Sequence, residues 1–127
     1  MSIDSTWWLS ASRRDLAMAQ ELYDKKFYEG TAFHCQQCAE KALKALLAHF
    51  GRFNRTHSCD RLLDVLEEFN LPINKIRTAA KKLDIHYIPS RYPNGVGGAP
   101  ERFYDRIIAT ELLELAKTIL KWAEAKL

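Results

Sequence analysis

The sequence predicts an all-α protein, an up-and-down bundle of about five helices, because three features of the chain agree. Apolar residues recur at helical spacing in every long segment, most clearly over residues 31–50. Helix-capping and helix-ending residues separate those segments. No segment shows the apolar–polar alternation of a half-buried strand. With 127 residues, we expect one domain spanning residues 1–127.

The first two helices are predicted to form an antiparallel pair. The first helix begins after a cap at Ser5 or Thr6 and continues to about Lys26. A break at residues 27–30 is so short that it favours an αα-hairpin. The central helix then covers residues 31–50 and has very high helix propensity. Its apolar face consists of Ala32, Cys35, Ala39, Ala42, Leu43, Leu46, Leu47 and Phe50.

Two shorter helices follow the central one. Gly51 ends the central helix as a C′ glycine. After a polar and basic loop, Ser58 or Asp60 caps a third helix, which ends before Pro72. A fourth helix is predicted from about residue 74 to residue 85.

A long irregular segment separates the fourth helix from the last. Residues 86–99 contain two prolines and three glycines, so they cannot form an α-helix. Long loops in compact domains are usually functional or disordered, and the tyrosines, histidine and arginine of this one favour function. Pro100 then opens the last helix, which continues to the C-terminus. Its predicted apolar face is Phe103, Ile107, Ile108, Leu112, Leu115, Ile119, Leu120 and Trp122.

The composition of the chain and its lack of long apolar runs argue against a membrane protein. The net charge of +3 permits anionic partners without demanding them. No apolar run approaches the roughly 20 residues that span a bilayer, and the N-terminus does not resemble a signal peptide. We therefore expect a cytoplasmic protein without a membrane partner. Three cysteines in such a chain are most simply reduced thiols.

A row of polar side chains follows the central helix. Gln37, Glu40 and Lys44 are spaced by three and four residues, so they lie on one side of the helix. They suit contacts to a nucleotide or an RNA phosphate. The alternative is a solvated helix face with an internal Glu40–Lys44 ion pair.

The loop after the central helix contains a histidine among arginines. His57 can bind phosphate or act as an acid or base near neutral pH. Alternatively, it anchors the loop or caps the next helix through a hydrogen bond.

Arg91 is the strongest single candidate for contact with an anion. Its guanidinium offers a bidentate fork, and the neighbouring Tyr87 and Tyr92 can stack on a base. The alternative is a loop pinned to the bundle by buried tyrosines, with Arg91 in a salt bridge. The glycines at 95–98 can approach a phosphate, but the lysine and hydroxyl residue of a P-loop are missing.

The cysteines do not predict a metal site. Cys35 and Cys38 are spaced as in zinc sites, but they lie inside a strongly helical segment, and zinc knuckles place such pairs on a turn. Buried or half-buried thiols are the simpler interpretation. The sequence therefore suggests no metal and no cofactor.

Three motifs resemble the HEPN domain family (higher eukaryotes and prokaryotes nucleotide-binding). The segment FHCQQCAEKALKALL, residues 33–47, is similar to the second helix of these domains. Thr56-His57-Ser58 and the segment YIPSRYP, residues 87–93, look like later signatures of the family. Their order and spacing make the resemblance specific over nearly the whole chain.

The resemblance implies a helical bundle that is commonly dimeric. It also implies a small nucleotidyltransferase partner, frequently in a toxin–antitoxin couple. Many HEPN proteins are metal-independent endoribonucleases that carry an arginine, and a few residues later a histidine, near the start of the last helical section.

This sequence departs from the ribonuclease pattern. The segment after Pro100 contains Arg102 and Arg106 but no histidine. Arg52 and His57 have a suitable spacing, but they lie in the loop after the central helix. We therefore expect binding of a nucleotide or RNA phosphate, together with a nucleotidyltransferase partner, in a homodimer. The expected binding residues are Gln37, Lys41, Lys44, His57, Arg91, Tyr87 and Tyr92.

Two alternatives stay open. The first is a metal-independent endoribonuclease, for which His57, His86 and Arg91 are the candidate catalytic residues. The second is a non-catalytic helical module that binds another protein.

Overall fold

Six α-helices form the protein in a computed structural model that describes residues 1–127, apart from the side chain of Asn94. They are α1 (Ile3–Asp24), α2 (Tyr28–His49), α3 (Cys59–Glu67), α4 (Asn74–Asp84), α5 (Pro100–Phe103) and α6 (Arg106–Glu124). A short 3₁₀-helix, Pro93–Gly95, precedes α5, and the described backbone contains no strand. The predicted all-α bundle is confirmed. None of the described helices combines the length and the apolar character that crossing a bilayer requires.

Helix α2 is the centre of the bundle and packs against α1, α3, α4 and α6. Its predicted apolar face is buried, with only Phe50, just beyond the helix, left partly exposed. Several of its residues are small, so the neighbouring helices can approach closely. Burying each of its leucines contributes about 1.5–3 kcal/mol through the apolar surface removed from water.

Helices α1 and α2 form the predicted antiparallel pair. The Ser5 hydroxyl donates to the Ala45 carbonyl at 2.6 Å, and the Ser12 hydroxyl donates to the Cys38 carbonyl at 2.7 Å. A Cβ added at Gly30 would lie 2.8 Å from a side-chain carbon of α1. A glycine here therefore lets the two helices meet directly after the turn.

Several helix boundaries agree with the predicted caps, but α2 begins at Tyr28, inside the predicted break at residues 27–30. Gly51 has a positive φ of 72° after α2, and the Ser58 hydroxyl accepts a main-chain N–H from the first turn of α3. The cap of α1 is different, because Ser2 takes that role instead of Ser5 or Thr6. Ser5 is already one turn inside the helix, where it is fully buried.

The predicted last helix is broken into α5 and α6. Tyr104 and Asp105 have extended backbones, and the Asp105 carboxylate accepts the Ile108 N–H at 2.9 Å as the cap of α6. Phe103 and Ile107, expected on the apolar face, are 49% and 81% exposed. The break changes the helical register, so residues on either side of it no longer share one face.

A partly buried polar contact joins the segment after α4 to this break. The Tyr104 hydroxyl lies 2.7 Å from Nδ1 of His86. Burial lowers the pKa of His86 from its ordinary value, and the carboxylate of Glu111 only partly opposes that effect. Burial also raises the pKa of Tyr104 to about 12. Both side chains are therefore held in their neutral forms at neutral pH.

The segment between α4 and α5 packs on itself. The Ser90 hydroxyl donates to the His86 carbonyl at 2.6 Å, and Ser90 is buried. A Cβ added at Gly95 would lie 2.7 Å from the Cα of Pro89, so a larger residue would push these two parts of the segment away from each other.

Asp84, the last residue of α4, accepts hydrogen bonds from the start of α3. Its carboxylate is 2.9 Å from the Ser58 hydroxyl, 2.8 Å from the Cys59 N–H and 2.9 Å from the Asp60 N–H. The same carboxylate lies 3.4 Å from Nε2 of Gln36 on α2. One side chain therefore connects three helices and satisfies main-chain donors that the start of a helix leaves free.

Replacing Asp84 with Ala is expected to lower the free energy of unfolding by about 2–4 kcal/mol, because several donors lose a charged acceptor at once. Urea denaturation followed by circular dichroism measures the change. The control is Glu67→Ala, which removes an exposed carboxylate from α3. Equal stabilities of the two variants would contradict the role assigned to Asp84.

The partly buried His86 is expected to make stability depend on pH. Its pKa is lower in the folded state than in the unfolded state, near 6.5, so the unfolded chain takes up the proton first as the pH falls. The free energy of unfolding should therefore decrease below about pH 6.5 and level off once the folded state is also protonated. The test is to measure the free energy of unfolding of the native protein and of His86→Asn by urea denaturation at several pH values between about 5 and 8. The same pH dependence in both would show that His86 is not responsible.

Candidate functional site

Two aromatic rings from different loops stack at the surface. The imidazole of His57, before α3, and the ring of Tyr87, after α4, have centroids 4.8 Å apart and planes 16° apart. The side chain of His57 is 56% exposed. Both residues open onto a surface pocket of about 330 Å³, lined by Thr56, His57, Ser58, Arg61, Asp84 and Tyr87.

Arg91 extends this stack with a cation. The central carbon of its guanidinium lies 4.5 Å from the ring centroid of Tyr87, 4.6 Å from that of Phe33 and 5.1 Å from that of Tyr92. Its Nε and Nη2 donate to the Tyr87 carbonyl at 3.0 and 2.9 Å. The two predicted tyrosines thus do surround Arg91, whose hydrogen bonds go to a carbonyl and not to a carboxylate.

The imidazole of His57 lies against polar side chains of α2. Its Nδ1 lies 3.3 Å from each carboxylate oxygen of Glu40, which is 2% exposed. Glu40 also accepts from Lys44 Nζ at 2.9 Å and from Gln37 Nε2 at 3.1 Å. The buried Glu40 carboxylate therefore accepts from two donors on its own helix and faces the exposed imidazole of His57.

The ion pair between Glu40 and Lys44, part of the alternative interpretation, is present, but the solvated face that this alternative places around it is not. Lys44 is only 6% exposed, and its Nζ lies 5.4 Å from the ring centroid of Trp8 on α1. Helix α1 covers this part of α2, which the spacing of α2 alone does not reveal. The Lys44 ammonium is directed at Glu40 and not at the pocket.

Lys41 belongs to another network, on the side of α2 that faces α1. Its Nζ lies 2.7 Å from one oxygen of Asp15, and Nδ1 of His34 lies 2.7 Å from the other. Burial of Asp15 opposes its ionisation, but the hydrogen bonds from His34 and Lys41 outweigh burial and lower its pKa. The structure therefore does not bring Lys41 together with the stack of His57 and Tyr87.

Two residues that the sequence analysis missed hold the site together. Gln36 is fully buried, and its Nε2 donates to the His57 carbonyl at 2.7 Å. Asp84 holds the three residues that follow His57. A signal for Asp84 exists, because a carboxylate in the last turn of a helix opposes the helix dipole and suggests another role. Gln36 offers no comparable signal.

Other predicted candidates lie apart from the stack. His86 lines a second pocket of about 210 Å³ with Phe103, Ile108 and Glu111, among others. Arg52, whose spacing to His57 resembled a ribonuclease pair, is directed at Glu68, 3.7 Å away. His57 therefore has neither His86 nor Arg52 beside it.

The three cysteines are buried free thiols. Burial raises the pKa of Cys38 to about 11 and raises those of Cys35 and Cys59 further. They are therefore held as thiols, whereas a metal binds the thiolate. Among the described residues, no three His, Cys, Asp or Glu side chains are grouped as metal ligands.

The arrangement offers three kinds of contact to a ligand. Arg91 supplies a cation on an aromatic surface, and the exposed Arg61 adds a second cation at the pocket. The exposed ring of Tyr92 can stack on a planar group. The ring of His57 presents its second nitrogen, Nε2, on the side away from Glu40.

Comparison with known structures extends over almost the whole chain. The protein TT1696 of Thermus thermophilus superposes with a TM-score of 0.87 at 37% sequence identity, over 97% of this chain and 98% of that one. ST0689, an archaeal HEPN homologue, gives 0.81 at 38% identity over 96% of each chain. A HEPN domain protein of Thermotoga maritima gives 0.74 at 29% identity, over 93% of this chain and 94% of that one.

Sequence comparison agrees with these structures. A Methanocaldococcus jannaschii protein named "Putative toxin MJ1304" is 27% identical in an alignment that covers 89% of this chain and 81% of that protein. The sequence model of the HEPN domain matches residues 5–126. Because the family model and the structural neighbours both extend over nearly the full length, the chain belongs to the HEPN domain family.

Proposed function

We propose that this HEPN protein binds a nucleotide or an RNA phosphate at the surface formed by His57, Tyr87 and Arg91. The observation that carries the proposal is that Arg91 and His57 both stack on Tyr87: the guanidinium carbon lies 4.5 Å from the centroid of that ring, and the exposed imidazole lies nearly parallel to it at 4.8 Å. A cation for phosphate and aromatic rings for a base then lie within one stack, as in binding sites for single-stranded nucleic acids.

The phosphate is assigned to arginine side chains. Arg91 donates from Nε and Nη2 to the Tyr87 carbonyl, so its other guanidinium N–H groups remain to donate to a phosphate. Arg61 lies at the same pocket as Tyr87 and is exposed. Lys41 and Lys44 were also expected to bind phosphate, but their ammonium groups engage Asp15 and Glu40. Lys44 acts on the site indirectly, through the Glu40 carboxylate that faces His57, and Lys41 joins α2 to α1.

The wider role is proposed from relatives. Similarity to the archaeal protein named as a toxin supports a place in a toxin–antitoxin pair. The HEPN resemblance adds a small nucleotidyltransferase as the partner and a homodimer as the assembly. We propose that the chain acts with that partner in the cytoplasm.

Binding is tested by calorimetric titration with ATP and with a short single-stranded RNA. Arg91→Ala is expected to weaken binding about 10- to 150-fold, the equivalent of about 1.5–3 kcal/mol for hydrogen bonds to a charged group. Tyr87→Leu should weaken it by a similar amount through lost stacking.

The control for Arg91→Ala is Arg14→Ala, which removes the same charge from an exposed position on α1. An equal loss in both variants would show that only the net charge matters. The absence of heat with either ligand would contradict the proposal and favour a module that binds protein.

Ribonuclease activity is the second candidate, because a buried carboxylate holds the exposed His57. A histidine oriented by a carboxylate is the arrangement that enzymes use for proton transfer to and from a substrate. The activity predicts cleavage of RNA in EDTA, reduced at least about 100-fold in His57→Ala.

The comparison variant for the cleavage assay is His86→Asn, since His86 lies in the other pocket. It should retain cleavage under conditions in which it is folded. Cleavage unchanged by His57→Ala would rule out His57 as the catalytic group.

A further inference from the structure

We propose that Gln36, Gln37 and Glu40 are positioning residues that fix His57 as its Nδ1–H tautomer and direct Nε2 into the pocket. This inference rests on the proposed function, because it concerns how His57 is presented to a ligand. It adds residues of α2 that touch no ligand and act through His57.

A side chain of α2 holds the main chain of His57. Nε2 of Gln36 donates to the His57 carbonyl at 2.7 Å, and Gln36 is 0% exposed. A buried amide has few alternative partners, so this hydrogen bond has a fixed geometry. If the loop lifted away from α2, the Gln36 amide would therefore lose its shorter hydrogen bond and keep only the Asp84 carboxylate, 3.4 Å away, as an acceptor.

The side chain of His57 is held by the same group of residues. Nε2 of Gln37 donates to Oε1 of Gln36 at 2.8 Å and to Oε1 of Glu40 at 3.1 Å. Both oxygens of Glu40 lie 3.3 Å from Nδ1 of His57. The hydrogen bonds therefore form a closed circuit that begins at the His57 carbonyl and ends at its imidazole.

The circuit determines which ring nitrogen carries the proton. The Glu40 carboxylate accepts hydrogen bonds from the Lys44 ammonium at 2.9 Å and from the Gln37 amide at 3.1 Å, and an acceptor of this kind requires a donor at the Nδ1 atom that faces it. Nδ1 of His57 must then donate, so Nε2 of the neutral ring is an acceptor. Nε2 lies on the side of the ring away from Glu40. It suits a hydroxyl or amino group of the ligand, while Arg91 takes the phosphate.

The test uses a double variant, Glu40→Leu with Lys44→Met. Replacing both partners of a buried ion pair with apolar residues of similar volume is often neutral for stability, so this variant should fold. Its control is Lys82→Met with Glu111→Leu, which makes the same changes at an exposed pair 3.4 Å apart. Circular dichroism checks that both variants are helical.

The first measurement is long-range ¹H–¹⁵N NMR of His57, assigned by comparison with His57→Gln. This measurement needs no ligand, so it is independent of whether the proposed function is correct. We expect the Nδ1–H tautomer in the native protein and in the control, and a mixture of tautomers in the Glu40 variant. The Nε2–H tautomer in the native protein, or an unchanged Nδ1–H tautomer in the Glu40 variant, would overturn the inference.

The second measurement is the affinity for ATP and for the short RNA. We expect the Glu40 variant to bind about three to ten times more weakly than the control, which is the equivalent of one hydrogen bond. Equal affinities despite a changed tautomer would show that Glu40 does not position His57 for binding. If the native protein binds neither probe, the proposed function fails, and the NMR result alone decides whether the circuit fixes the ring.

Discussion

The carboxylate of Asp84 is the contact on which the geometry of the site depends. It joins the end of α4 to the first residues of α3 and lies within reach of Gln36 on α2. His57 directly precedes the residues that Asp84 holds, and Tyr87 follows Asp84 by three residues. Their rings can stack at 4.8 Å because the two chain segments are connected directly beneath them.

Polar residues within a mostly apolar helix give α2 a second role. The leucines and alanines of α2 form the core of the bundle, while Gln36, Glu40 and Lys44 are buried beside them. Burying such groups is unfavourable unless every donor and acceptor has a partner. Here the partners are each other and the loop before α3, and no buried side-chain nitrogen or oxygen among the described residues lacks one. The hydrogen bonds that satisfy these buried groups therefore also hold the loop before α3 in place.

The toxin-like relative and the proposed site are compatible with a protein that lacks the usual ribonuclease pair. The histidine of the stack comes from the loop before α3 and the arginine comes from the segment after α4. Neither belongs to α6, where the family resemblance implies that a ribonuclease would carry its arginine and histidine. The proposed site therefore lies where α4 ends beside the start of α3, on loops that rest on α2.

The sequence allowed much of the fold to be predicted, because local physical rules decide it. Helical spacing of apolar residues located the core of α2, Gly51 and Ser58 marked two boundaries, and the prolines and glycines marked the segment after α4. The break at Tyr104 and Asp105 was missed, because the apolar pattern continues through it without a proline or glycine.

Candidate residues of the site were partly predictable as well. Arg91, Tyr87 and His57 were identified from side-chain chemistry, and the structure brings them together. Lys44 looked accessible on the helix, yet Trp8 and the loop before α3 lie over that part of α2. Which side of a helix is covered depends on residues distant in the chain.

By itself, the sequence determined the helices, their order and the kind of chemistry available, since these follow from residue type and local spacing. Only the tertiary structure decided that Gln36 and Asp84 hold the His57 loop, that Glu40 lies beneath its imidazole and that Lys41 belongs elsewhere. The reason is physical: hydrogen bonds and burial act over a few ångströms in space, and residues 17 to 48 positions apart meet there only after the bundle has formed.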